Sequence, residues 1–128
     1  MIITKLKDFK EIKKFLTKKE RIGIVSCNTC ARICKTGGEL GIKKLSRKLK
    51  KQGYKIDESI LVPACCSVKL LKKFNFKSNT LLMLACDAGV AALKYLFPNK
   101  KIVPCLKEMG NGFYTEKEKI ILINPLSK

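Results

Sequence analysis

Three cysteines stand close together near the start of the chain at a spacing that suits metal binding. Cys27, Cys30 and Cys34 are separated by two and three residues, which places their side chains on one face of a helical turn or around a tight loop. A [4Fe–4S] cluster takes four thiolates, commonly three from such a run and one from elsewhere. A single zinc ion needs the same number of ligands. The spacing therefore predicts a metal centre without distinguishing these two cofactors.

The fourth ligand is expected from the later cysteines. Cys66 and Cys86 are both candidates, since each follows an apolar run that is typical of a strand. If the strand includes Cys65 and Cys66, their side chains point to opposite faces, and one of them reaches the site. Cys105 also follows an apolar run, and it fits a buried structural thiol.

Two glycines follow the cysteine triad and are candidate cofactor-binding residues. Gly37 and Gly38 lack a side chain, so the backbone can pass close to a bulky cluster. Their amides are expected to donate to the cluster sulfurs, as outer hydrogen bonds do in metal sites.

Other classes of site find less support in the sequence. The chain contains no histidine, which excludes a Cys/His zinc finger and an imidazole general base. Neither a Walker loop nor a G-x-G-x-x-G segment follows any predicted strand. A redox dithiol formed by Cys27 and Cys30 is an alternative, but a thioredoxin-like protein would not need Cys34.

Composition favours one soluble domain in a reducing compartment. The 128 residues are 46% hydrophobic, which is enough to fill a single core over residues 1–128 without disulfides. Seven cysteines without a secretory or membrane-spanning segment predict a cytoplasmic protein whose thiols stay reduced. The net charge of +18 is scattered over polar faces, which disfavours nucleic acid and favours an acidic protein partner.

Apolar runs alternate with amphipathic segments along most of the chain. An amphipathic pattern predicts a first helix from Lys5 to Lys19, and later patterns predict three more helices. The strands are expected at four short apolar runs, and a turn at residues 110–112 precedes a last strand. These predicted strands are Arg21–Ser26, Ile60–Ala64, Thr80–Ala85 and Lys101–Pro104, followed by Ile120–Ile123.

This alternation predicts an α/β fold, an open and mainly parallel sheet with helices on both faces. Ligands of such sheets bind beyond the carboxyl ends of the strands. The cysteines follow the predicted strands, so the fold itself would bring the cysteine-rich loops together at one edge of the sheet.

Two segments resemble a known family. The segment from Ile24 to Glu39, which contains the cysteine triad and both glycines, is similar to the opening motif of the methylenetetrahydrofolate reductase C-terminal domain family, the MetV-like accessory proteins. The segment from Leu84 to Val90 resembles that family's alanine-cysteine-glycine-alanine-glycine-valine stretch.

The resemblance implies an accessory subunit that carries iron–sulfur clusters and exchanges electrons with a flavin-containing methylenetetrahydrofolate reductase in one-carbon metabolism. Carried over residue by residue, it implies a metal site formed by Cys27, Cys30, Cys34, Cys66 and Cys86. We therefore expect a [4Fe–4S] cluster and an electron-transfer role without substrate chemistry. A zinc-stabilised interaction module is the alternative.

Overall fold

The computed structural model describes residues 1–126, which form a single α/β fold with two sheets. In chain order the elements are β1 (Ile2–Leu6), α1 (Phe9–Lys13), β2 (Arg21–Cys27), α2 (Cys30–Ile33), α3 (Gly38–Lys51), β3 (Lys55–Val62), α4 (Val68–Leu71), β4 (Thr80–Leu84), α5 (Asp87–Leu96), β5 (Lys101–Pro104), β6 (Leu106–Tyr114) and β7 (Ile120–Pro125). The three predicted strand–helix units and the fourth strand after them are present, and the parallel sheet they predict is confirmed.

The parallel sheet has the strand order β3-β2-β4-β5. Its central strands are apolar and inaccessible: all five residues of β4 and six of the seven in β2 are buried. Such continuous burial is expected of parallel strands that are covered on both faces. The sheet thus provides a rigid base whose carboxyl ends all lie along one edge.

Helices cover both faces of this sheet. Leu84, the last residue of β4, lies near Gly41 in α3, whereas the next residue, Ala85, lies against Gly89 in α5. Since neighbouring residues of an extended chain point to opposite faces, α3 and α5 lie on opposite sides of the sheet. The two crossovers from the β2–β4 centre therefore leave in opposite directions.

The long helix α3 is amphipathic, as its sequence predicts. Ile42, Leu45 and Leu49 are buried at helical spacing. The helix ends at Gln52, and Gly53 follows with φ +91°, the left-handed conformation that favours glycine after a helix. Within residues 1–126, none of the helices combines the length and the apolar character that crossing a bilayer requires.

The predicted first helix, from Lys5 to Lys19, is largely wrong. Residues Ile2–Leu6 form a strand that pairs antiparallel with β6, and the helix that follows Asp8 spans five residues, Phe9–Lys13. Residues 2–6 form a strand and not the start of a helix because their backbone hydrogen-bonds to β6, about a hundred residues further along the chain. A local periodicity cannot reveal such a partner.

The predicted turn at residues 110–112 is also wrong. These residues lie inside β6, which pairs with β1 on one side and β7 on the other to form a three-stranded antiparallel sheet. Gly110 has φ +141°, and a side chain there would overlap the Asn124 carbonyl. The glycine therefore serves a close strand contact, and the chain reverses after Thr115.

Candidate metal centre

The seven cysteines are free thiols, and most follow the carboxyl ends of the parallel strands. Cys27 is the last residue of β2, and Cys30 begins α2. Cys86 caps the amino end of α5 directly beyond β4. Because β2 and β4 are adjacent and their crossovers leave in opposite directions, these cysteines lie at the topological switch point, where open α/β sheets bind ligands.

Hydrogen bonds hold the loop after β2 against the loop after β3. The Asn28 amide donates to the Val62 carbonyl at 2.8 Å. The Thr29 hydroxyl donates to the Pro63 carbonyl one residue further along. These two bonds fix the segment between Cys27 and Cys30 beside the segment that carries Cys65, so thiols from two strand ends are held as neighbours.

The turn from α2 to α3 is built around Ser26. Its buried hydroxyl accepts a hydrogen bond from the Gly38 amide at 2.7 Å. A Cβ at Gly37 would come within 2.6 Å of the Ser26 Oγ and 2.8 Å of the Ala31 Cβ, which real side chains do not tolerate. The Gly37 amide donates to the Ala31 carbonyl at 3.0 Å. Both glycine amides therefore bond within the loop, and their approach to a cluster stays a prediction.

Cys27 and Cys65 form the most strongly coupled pair of ionisable groups in the site. Hydrogen bonding from the Cys65 side chain lowers the pKa of Cys27 to about 5, although burial opposes the shift. The same interaction and burial raise the pKa of Cys65. The interaction therefore favours the thiolate form of Cys27 and the protonated form of Cys65. A thiolate is the form that binds metals and reacts as a nucleophile.

Cys66 and Cys86 lie within electrostatic range of Cys65, and Cys30 lies within electrostatic range of Cys86. The negative charges of Cys27, Cys66 and Cys86 contribute to the raised pKa of Cys65. Burial raises the pKa of Cys86, the amides of Gly89 and Ala88 oppose it, and Glu108 and Cys30 add to the rise. The members of this group that are at least partly buried, Cys27, Cys30, Cys65 and Cys86, are called the thiol cluster below.

The remaining three cysteines, Cys34, Cys66 and Cys105, lie outside the thiol cluster. The Cys34 thiol is 3.7 Å from the Ile2 carbonyl of β1 and donates to it. Cys66 is exposed to solvent. Cys105 is fully buried, as predicted for a structural thiol, and burial raises its pKa to about 12.

The sequence-predicted ligand set is therefore brought together in part. Cys27, Cys30 and Cys86 lie at the switch point, whereas Cys34 donates to the Ile2 carbonyl and Cys66 is exposed to solvent. Cys65 was not among the predicted ligands. The predicted strand ran to Ala64, but β3 ends at Val62, so the alternation of strand side chains does not apply at Cys65 and Cys66. No spacing signal in the sequence identifies which of the two points inward.

The thiol cluster supplies donor atoms of the kind that metal cofactors use. Four thiols with one held as a thiolate form a donor set for iron–sulfur clusters or zinc. A tetrahedral zinc ion requires sulfurs at about 2.3 Å from a common centre, and no three cysteine or acidic side chains within residues 1–126 are grouped to hold a single ion. The donor set alone does not distinguish the two cofactors, and the iron–sulfur cluster stays a prediction.

Comparisons with known proteins do not assign the chain to a family. No protein-family model matches it, and no curated protein or solved structure is detectably similar.

Proposed function

We propose that this protein is an electron-transfer accessory protein whose thiol cluster holds an iron–sulfur centre. The observation that carries the proposal is the placement of Cys27, Cys30 and Cys86 where β2 and β4 end, beside the segment that carries Cys65. Burial of Cys27 and Cys65 supports ligation over attack on an external substrate, since reactive cysteines are accessible to their substrates.

The proposed ligands are Cys27, Cys30, Cys65 and Cys86. When bound, such a centre would supply one-electron chemistry at a potential set by its hydrogen bonds and exposure. The chain's own residues then have structural tasks. Thr29 and Asn28 keep the loops after β2 and β3 together, and the Asp87 amide donates to Glu108 at 2.7 Å, which fixes the first turn of α5 beside Cys86.

The identity of the redox partner rests on the motif resemblance. Together with the excess of basic residues, it supports a flavin-containing methylenetetrahydrofolate reductase-like subunit, or another acidic redox protein. In this reading the protein works in the one-carbon metabolism of the cytoplasm.

A dithiol function is the second candidate, and the pairing of Cys27 with Cys65 favours it. Two-electron oxidation would join the Cys27 thiolate and the Cys65 thiol into a disulfide and release the Cys65 proton, with an oxidised flavin of a partner as electron acceptor. Here Cys65 takes the place of Cys30 in the Cys27–Cys30 dithiol that the sequence suggests, because the Cys65 side chain is the main cause of the lowered pKa of Cys27.

Anaerobic purification followed by iron, sulfide and zinc determination tests the proposal. We expect about four iron and four sulfide atoms per chain, broad visible absorption, and oxidation of the dithionite-reduced protein by free flavin mononucleotide. One zinc per chain without colour would contradict it. A colourless, metal-free protein that forms a Cys27–Cys65 disulfide on flavin oxidation, unaffected by Cys30→Ser and Cys86→Ser, would establish the dithiol function instead.

A further inference from the structure

A basic groove whose lining contains no cysteine lies between α3 and the outer edge of the parallel sheet. Its volume is about 840 Å³, and one wall is a stripe of exposed cations on α3 that comprises Lys43, Arg47, Lys50 and Lys51. The other wall includes Ser59 of β3. Arg47 lies four residues after Lys43, and Lys50 and Lys51 lie three and four residues after Arg47, so the four side chains share one face of the helix.

The cations of this groove exceed the acids available to neutralise them. Among the described lining residues the acid is Glu39, which pairs with Lys43 at 3.2 Å. The acids of β3 are bound elsewhere: Asp57 pairs with Arg21 at 3.4 Å, and Glu58 accepts from backbone amides. The groove therefore carries a surplus of positive charge that fits an acidic ligand.

The strand β3 is an edge of the parallel sheet. It pairs with β2 along Arg21–Cys27, and within residues 1–126 no strand pairs with its other side. Its eight residues extend roughly 26 Å at 3.3 Å each. An edge with unpaired backbone groups is a template for a further strand from another chain.

The shape and lining of the groove favour a peptide over a nucleic acid. Ile42 and Leu61 provide apolar surface, and the described lining residues are aliphatic, hydroxylic or charged, with no aromatic ring on which a base could stack. Side chains of an added strand alternate between the two faces of the sheet. Every second residue of that strand would consequently face the cations of α3.

We propose that this groove binds an extended acidic segment of a partner protein, which joins the parallel sheet beside β3 with alternate carboxylates facing Arg47, Lys50 and Lys51. No cysteine lines the groove, so the proposal stands or falls independently of the thiol cluster. Charge complementarity attracts the segment, and backbone hydrogen bonds to β3 fix its register.

The test measures binding of fluorescein-labelled, acetylated octapeptides by anisotropy, using the full chain. The first peptide alternates glutamate and threonine; the second has four glutamates followed by four threonines. We expect the alternating peptide to bind roughly tenfold more tightly. Arg47→Glu with Lys50→Glu should weaken it by at least about tenfold. Lys44→Glu with Lys48→Glu makes the same charge change outside the groove lining and should leave binding within about threefold.

Backbone pairing is tested with two N-methylated forms of the alternating peptide. One carries N-methyl groups on the glutamate amides and the other on the threonine amides, and one of the two sets faces β3. We expect one form to lose binding and the other to retain it. Equal affinity of both N-methylated forms with the parent peptide would overturn the proposal, as would equal affinity of the two glutamate patterns. Tighter binding of an eight-residue oligothymidylate would also overturn it.

Discussion

The Cys65 thiol, completely enclosed by the fold, faces Cys27 at the end of the neighbouring strand and lowers the pKa of Cys27 to about 5. This relationship joins two loops that are held by the Thr29 and Asn28 hydrogen bonds. It favours a thiolate at Cys27 before any cofactor binds. Of the four predictions that follow, the first two test this relationship and the last two test hydrogen bonds that hold the surrounding fold.

The first prediction concerns stability against pH in metal-free protein. The pKa of Cys27 is lowered from about 9 to about 5, so its contribution to stability is present above pH 9 and is lost as pH falls through 5. Cys65, Cys86 and Cys105 have raised pKa values, and their contributions are lost as pH rises above about 9. Urea unfolding should show a free energy that rises between pH 5 and about 8 and declines above 9.

The matched variant for this experiment is Cys27→Ser. It should abolish the rise between pH 5 and 8 and retain the decline above pH 9. Thiolate absorbance at 240 nm should likewise lose its step near pH 5. A wild-type protein without that step would show that Cys65 does not stabilise the Cys27 thiolate.

The second prediction concerns Gly89, which lets α5 approach Cys65. A Cβ at this position would lie 2.9 Å from the Cβ atoms of Cys65 and Ala85. Gly89→Ala should displace Cys65, raise the pKa of Cys27 towards its ordinary value and destabilise the fold by about 1–3 kcal/mol of overpacking, less about 1 kcal/mol gained in helix propensity. Thiolate absorbance and urea unfolding measure both effects.

Gly41→Ala is the control, because Gly41 also lies in a helix and its Cβ would meet the Thr36 backbone at 3.3 Å, away from Cys65. It should leave the Cys27 titration unchanged. If both variants titrate like wild type, contact between α5 and Cys65 does not set the pKa.

The third prediction concerns Ser26, which is buried beneath the start of α3. Ser26→Ala leaves the Gly38 amide without its 2.7 Å acceptor, at a cost of about 1–3 kcal/mol for an unsatisfied buried group. Urea unfolding gives the loss directly. Ser46→Ala, a half-exposed position in α3, should change stability by less than about 0.5 kcal/mol. Equal losses for the two variants would contradict the role assigned to Ser26.

The fourth prediction concerns Glu58, whose carboxylate fixes the loop before β4. Burial opposes its ionisation, but hydrogen bonds from Ser78 and the Lys77 amide prevail and lower its pKa. Its contribution to stability is present above the usual carboxyl pKa of about 4.5 and is lost as pH falls through the lowered value. Glu58→Gln should therefore reduce the loss of stability below pH 4.5, measured by thermal unfolding. Glu116→Gln, at an exposed turn, should not.

The parallel part of the fold could be predicted because its signals are local. The apolar run at Thr80–Leu84 and the periodic burial of Ile42, Leu45 and Leu49 both follow from neighbouring residues in the sequence. The antiparallel sheet could not, since Ile2–Leu6 depends on β6 at the other end of the chain. Long-range strand pairing overrides a helical pattern, and the local sequence gives no sign of it.

The candidate site also has a part that could be predicted from the local sequence and a part that could not. The position of Cys27 at a strand end follows from the abrupt end of an apolar run. The local sequence does not show that Cys65 is buried or that Cys34 contacts β1. Both depend on how the short helices α2 and α4 and their loops pack. Cys34 finds the Ile2 carbonyl of a strand that the sequence did not predict. The sequence therefore could not show where the Cys34 thiol lies.

The ligand assignment provides the most direct test of the account. Iron, sulfide and visible absorption should be measured in anaerobically purified Cys65→Ser and Cys34→Ser, two single substitutions of the same kind. We predict that Cys65→Ser loses the iron–sulfur centre and that Cys34→Ser retains about four iron atoms per chain. Retention of the centre in Cys65→Ser together with its loss in Cys34→Ser would contradict the account, and would restore the ligand triad that the sequence spacing predicts.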